Sequence, residues 1–251
     1  MVFARKALAD AVRPFGPGGK IPAAAVPAFD ALADALGLPR DAAPAPAARP
    51  RLGGLSAEYE SGGRGPGTVS SGAGDPGGVS YGTYQLASKT GTASAFVANE
   101  GRRWAALLPG APGSAEFSAG WRDVAQREPE AFDEAQHAFI ERTHYRPAVD
   151  AVRVRSGVDL DARGPGVRDA TWSVAVQHGK AVDILLGAIA DAGTGASDAD
   201  LLRAIYKRRS AYVRAVAERN TGAARRTLLS VVENRYPAEL KKALAMTEGQ
   251  A

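Results

Sequence analysis

Acidic and tyrosine side chains crowd both ends of a loop made largely of glycine. Glu58, Tyr59 and Glu60 close a short helical pattern, Asp75 stands 15 positions beyond Glu60, and Tyr81, Tyr84 and Gln85 follow. Cleavage of a glycosidic bond uses this inventory. One carboxylic acid protonates the leaving oxygen, and a second carboxylate activates water or stabilises an oxocarbenium-like centre. The acid works best in an apolar setting that raises its pKa, which Tyr59, Tyr81 and Tyr84 could supply. Residue type alone leaves a plainer reading equally open, in which Glu60 caps a turn and Asp75-Pro-Gly is a tight turn. Glu58 competes with Glu60: two apart on a helix, they point about 200° from each other and cannot share one task.

Other motifs carry less. Gly78-Val-Ser80-Tyr-Gly82 has the spacing of a nucleophile elbow, but Gly-Ala-Gly-Asp-Pro-Gly before it cannot form the buried strand that elbow needs. A Ser80 hydrolase is kept as a rival, to be tested by Ser80→Ala. Lys89-Thr-Gly91 lacks the companion S-x-x-K. Glu134-x-x-His137 and Glu141-x-x-His144 repeat a di-metal spacing. On one helix they stand about 10 Å apart, so a solvated polar face is expected and no metal. His178 reads as a histidine that caps or packs at a helix end. No P-loop is present. Arginine-rich C-terminal helices carry no base-stacking pattern, so nucleic acid is not expected as a partner.

These residues need a frame. Eleven of the 29 glycines fall in residues 53–82, a density no helix survives. A loop so long inside a domain is usually functional. Around Ser80–Leu86 the pattern predicts a short strand or hairpin. Helices are predicted after Ser114 (Phe117, Trp121, Val124) and from Pro129 (Phe132, Phe139, Ile140), then over Pro147–Arg155, closed by Gly157. Further helices are expected over Asp169–Leu186, Asp198–Arg219, Thr221–Asn234 and Pro237–Met246. Residues 1–40 predict a helical hairpin, 41–50 an Ala/Pro-rich linker, and 51–251 the main domain. Eight of the 16 prolines lie in the first 50 residues.

Composition sets outer bounds. The chain has 251 residues and no cysteine, which excludes disulfides, Cys-based zinc sites and a cysteine nucleophile. No run of 18 apolar residues predicts a membrane span. The net charge of +4 mildly favours polyanionic surroundings, such as wall polymers, membranes or nucleic acid, without choosing among them. Charges follow Met1-Val-Phe-Ala at once, so no secretory signal is expected and synthesis is placed in a cytoplasm.

Longer strings resemble a known family. Glu60–Ser70 (Glu-Ser-Gly-Gly-Arg-Gly-Pro-Gly-Thr-Val-Ser) and Gly74–Leu86 (Gly-Asp-Pro-Gly-Gly-Val-Ser-Tyr-Gly-Thr-Tyr-Gln-Leu) are similar to the lysozyme-type C-terminal domain of some type VI secretion spike proteins. That domain also occurs in stand-alone effectors and phage lysins. Phe139–Pro147 and Trp172–Gly179 add to the likeness, which covers roughly residues 52–220. The resemblance implies a mainly α, lysozyme-like α+β fold and a muramidase that cleaves the β-1,4 bond between N-acetylmuramic acid and N-acetylglucosamine. It implies Glu60 as general acid, ahead of Glu58, and Asp75 as base or electrostatic partner. Tyr81, Tyr84, Gln85, Tyr145, Gln177 and His178 would line the cleft. No cofactor is expected. The partner would be peptidoglycan glycan strands, reached in the wall or periplasm by a monomer after holin-type or secretion-system delivery. A delivery or immunity protein could attend it. Rivals are a lytic transglycosylase, a chitosanase-like glycosidase and a non-catalytic wall-binding protein. Residues 1–40 depart from the large β-rich spike of that family, so a phage lysin or cargo effector is expected before a spike protein.

Overall fold

The computed structural model describes residues 51–55 and 65–248, together with Leu32, a helical and half-exposed residue. Residues 1–50 and 51–251 form two compact units. The expected hairpin (1–40) and linker (41–50) lie outside the described residues, as do Glu58, Tyr59 and Glu60.

In the second unit, β1 (Ser80–Tyr81) and β2 (Leu86–Ala87) pair antiparallel, with Ser80 opposite Ala87 and Tyr81 opposite Leu86. Helices follow: α1 (Thr92–Ala98), α2 (Ala115–Arg127), α3 (Pro129–Ile140), α4 (Arg146–Ser156), α5 (Pro165–Gln177), α6 (Ala181–Ala192), α7 (Asp198–Glu218), α8 (Gly222–Ser230) and α9 (Tyr236–Glu248). The domain is therefore mainly helical, with one small antiparallel sheet among the described residues.

Local chemistry sets most of these boundaries. Ser114 Oγ accepts the Phe117 N–H and Ser197 Oγ accepts the Asp200 N–H, satisfying orphan donors at the starts of α2 and α7. Gly157, left-handed, closes α4. Pro129 and Pro165 occupy first turns, where the missing N–H costs nothing. Two junctions are π turns, Glu141–Tyr145 between α3 and α4 and Val231–Arg235 between α8 and α9. They carry the backbone through without a loop.

One expected helix is two. The pattern from Asp169 to Leu186 breaks at His178, which is extended (φ −122°, ψ 122°) and is followed by Gly179. The break frees the His178 ring to leave the helix face and pack edge-on to Tyr212 and Tyr236.

The buried side chains form one continuous core, with two regions that bear on the site. α5 is buried from Gly166 through Ala175, packed by α6, α7 and α9. A second, aromatic region gathers Tyr81, Phe96, Phe117, Trp121 and Phe132 beneath the hairpin, with contacting ring centroids 4.7–5.9 Å apart in edge and tilted geometries.

Candidate active site

The glycine-rich loop is tied down over its described half. Pro66 C=O accepts from Trp121 Nε1 (2.7 Å) and Gln136 Nε2 (3.1 Å). Val69 bridges to Tyr81. The Ser70 N–H donates to Ser80 C=O (2.9 Å), and the Gly82 N–H to Thr68 C=O (2.7 Å). The segment runs beside β1 as an irregular third strand. Backbone bonds and two buried side chains hold residues 65–70.

Asp75 lies beyond that anchored stretch, exposed to solvent. Its Oδ1 accepts the Gly77 N–H (2.7 Å) and its C=O accepts the Gly78 N–H (2.9 Å), a side-chain-supported turn. The Lys89 N–H donates to Gly77 C=O (3.0 Å) and fastens the turn to the open end of the hairpin. Asp75 is thus an exposed carboxylate on a backbone held by its own turn.

A second fixed stretch begins at Arg51. Asp169 on α5 is buried, and its Oδ1 and Oδ2 accept the N–H groups of Gly53 (2.6 Å) and Leu55 (3.2 Å). Burial pushes this carboxyl upward against the pull of the backbone donors of Gly53, Leu55 and Gly54. The carboxylate caps the chain where it turns helical at Gly54 and Leu55, five residues before Glu60. Gly53 takes φ +92°, and a Cβ there would come within 2.8 Å of Trp172 Nε1. The run that carries Glu58 and Glu60 therefore starts from a point pinned on the central helix.

At the turn end of the hairpin, Thr83 donates through Oγ1 to Asp133 (2.7 Å), and Asp133 pairs with Arg51 (2.7 Å). Arg51 also hydrogen-bonds the Tyr84 side chain. The Tyr84 hydroxyl meets His137 Nδ1 at 2.7 Å, and the His137 ring stacks on Trp172 at 4.4 Å. Burial, then the Arg51 charge, hold His137 below its usual pKa, so it stands neutral. The polar face expected for Glu134-x-x-His137 is corrected in part: His137 is enclosed. Nothing in the spacing reveals Asp133, Asp169 or Arg51 as members of this assembly.

Gly82 sets how closely the turn docks. It has φ +73°, and a Cβ would fall on Gln136 Oε1, the acceptor of the Thr83 N–H. Gly82→Ala should cost about 2 kcal/mol or more in urea unfolding, through backbone strain plus steric displacement of Gln136. Gly74→Ala, at φ +73° with no atom within 4 Å of the new Cβ, should cost only the strain. Equal losses at both positions would refute the Gln136 contact.

The expected cleft residues separate into three places. Tyr84 and Gln85 share the hairpin turn, both partly exposed, with Gln85 at φ +55°. Tyr81 and Tyr145 are 0% exposed and are corrected from cleft to core. Tyr81 OH meets Ser118 Oγ and the Gly113 N–H, while Tyr145 OH donates to Asp161. Their hydroxyls are spent internally, so a ligand would find neither. His178, also buried, and Gln177 belong to a network with Tyr236 and Arg209 between α5, α7 and α9. Ser80 is buried on β1, which leaves the rival nucleophile without access. Among the described residues, no cluster of His, Asp or Glu could hold a metal, and no helix is long and apolar enough to cross a membrane.

The comparisons fit this frame. The family model described as "Type VI secretion system spike protein VgrG3-like, C-terminal" matches residues 52–238. The type VI secretion system spike protein VgrG3 of Vibrio cholerae serotype O1 is 38% identical over 139 residues, which cover 55% of this chain and 13% of that protein. The match starts just after the boundary between the two units and takes in the glycine-rich loop, the hairpin and the helices that hold them. The chain belongs to the family of type VI secretion system spike protein VgrG3-like C-terminal domains.

Proposed function

We propose that this chain is a peptidoglycan glycosidase of the muramidase type, carried to the wall as a secretion-system effector or lysin. Glu60 protonates the leaving oxygen, and Asp75 activates the attacking water from the opposite side. The observation that carries the reading is Asp75 itself. It is an exposed carboxylate on a backbone fixed to the hairpin, and the chain that leads on to Glu60 leaves from the Asp169 clamp. Tyr84 and Gln85 supply the ligand-facing side chains at the hairpin turn. Residues 1–40 would serve as a wall-binding or docking module. The lysozyme-like character of the fold and action on glycan strands in the periplasm belong to the same proposal.

Product analysis tests it. Peptidoglycan digested with the protein should yield muropeptides with new reducing ends. Products one water lighter, with 1,6-anhydro termini, would make the enzyme a lytic transglycosylase. Retention on insoluble wall without new ends would reduce the domain to a binding module.

A further inference from the structure

Two adjacent residues of the hairpin turn are tied to one helix. Asp133 and His137 stand four apart on α3 and so share a face. Asp133 takes the Thr83 hydroxyl (2.7 Å), and His137 Nδ1 meets the Tyr84 hydroxyl at 2.7 Å. Tyr84 is partly exposed, whereas the His137 ring is 4% exposed. That ring lies 4.4 Å from Trp172 and within 14° of parallel, so packing fixes its plane. Arg51 hydrogen-bonds the same Tyr84 hydroxyl and is held in turn by Asp133.

The donors decide where the protons sit. A guanidinium only donates, so the phenol oxygen accepts from Arg51. Directing the phenol proton at Nδ1 completes the chain, which makes Nδ1 an acceptor and leaves the ring proton on Nε2. Burial, then the Arg51 charge, hold the ring neutral against the pull of Glu134, Glu141 and Asp133. On the α5 side it meets the Trp172 indole, which carries no charge. A second ring proton would turn Nδ1 into a donor. The phenol would then accept from two cations, and its own proton would lose its acceptor.

We propose that His137 is a positioning residue that acts through Tyr84: its bare Nδ1 takes the phenol proton and so fixes how the tyrosine stands at the hairpin turn. The proposal rests on the reading of Tyr84 as a ligand-facing residue of a glycosidase. It adds a pH limit to that site. The bond holds while His137 is neutral and is lost as pH falls through its folded pKa, which lies below 6.5.

The test uses the full chain. ¹⁵N NMR of the wild type at about pH 8 should show Nδ1 as an unprotonated, accepting nitrogen. On acidification the Tyr84 ring signals should move with the midpoint of His137. In wall-clearing assays Tyr84→Phe and His137→Phe should each raise the apparent KM about fivefold, the size of one neutral hydrogen bond, with kcat nearly kept. The double variant should be no worse than either, because both remove the same bond. His137→Asn, whose Oδ1 accepts without titrating, should recover part of the loss and keep its KM flat to lower pH than the wild type. A protonated Nδ1, a Tyr84 indifferent to the His137 titration, or additive losses in the double variant would each overturn the inference. Should a variant fail to fold, the wild-type NMR titration decides. If the wild type cleaves no peptidoglycan, the glycosidase reading falls by itself, and the same cycle is run on retention by insoluble wall. There, weaker retention of both single variants with no further loss in the double upholds His137. A wild type that is neither active nor retained sinks both.

Discussion

Glu60→Gln should lower peptidoglycan cleavage by about 10²–10⁴-fold and leave the unfolding transition in place. General acid catalysis contributes about that factor, and the amide keeps the size of the side chain while losing its dissociable proton. Asp75→Asn separates the mechanisms. Asparagine keeps an Oδ1 to accept the Gly77 N–H, so the turn survives and only the negative charge is lost. A muramidase that needs a carboxylate to activate water should slow by about 10²-fold or more. A transglycosylase, whose internal hydroxyl replaces water, should keep most of its rate. Turbidity loss of purified wall gives the rates, and circular dichroism melting shows that each variant is folded. A Glu60→Gln protein that clears wall at the parental rate would remove Glu60 from the chemistry.

The sequence made the frame readable because helix ends are local events. Ser114, Pro129 and Gly157 each act within one turn, and each marks its boundary in the structure. The hairpin was legible for the same reason. What failed depended on partners distant in the chain. A tyrosine between glycines reads the same whether its ring faces a cleft or Trp121, and only tertiary packing put Tyr81 inside. Likewise, no spacing rule joins Gly53 to Asp169, which stands 116 positions away. The break at His178 is of this kind too: the apolar period continues through it, and the reason to stop lies on Tyr212 and Tyr236. The tight turn at Asp75-Pro-Gly was legible because its hydrogen-bond partners are its neighbours.

Glu239→Leu should destabilise the domain by about 3–5 kcal/mol, the usual cost of stranding one member of a buried ion pair. Glu239 and Arg209 are both 0% exposed, joined at 3.0 Å between α9 and α7. Glu239 Oε2 also accepts from Ser173 Oγ and Tyr206 OH, and Oε1 from Arg235 Nε (2.5 Å). Arg209 reaches Ser173 and Gln177 and stacks over Tyr236 at 4.1 Å. Removing the carboxylate leaves the Arg209 and Arg235 guanidinium groups without their counter-charge, so melting should fall by about 10 °C or more, given about 2–4 °C per kcal/mol for a domain of this size. The double variant Arg209→Met with Glu239→Leu should recover part of that loss, since two apolar side chains can replace a buried pair at little cost while Arg235 at the edge stays without its carboxylate. Failure of the double variant to recover would mean that the surrounding hydroxyls and Gln177 depend on the charges for their own satisfaction. The same cluster sets an acid limit. Burial, then the charges of Arg209 and Arg235, hold His178 down to about 3. The unfolded chain takes up that proton near pH 6.5, so this contribution to stability is complete above about 6.5 and drains away as pH falls toward 3. His178→Phe should flatten that part of the stability profile, and an unchanged slope would place the acid sensitivity on other groups.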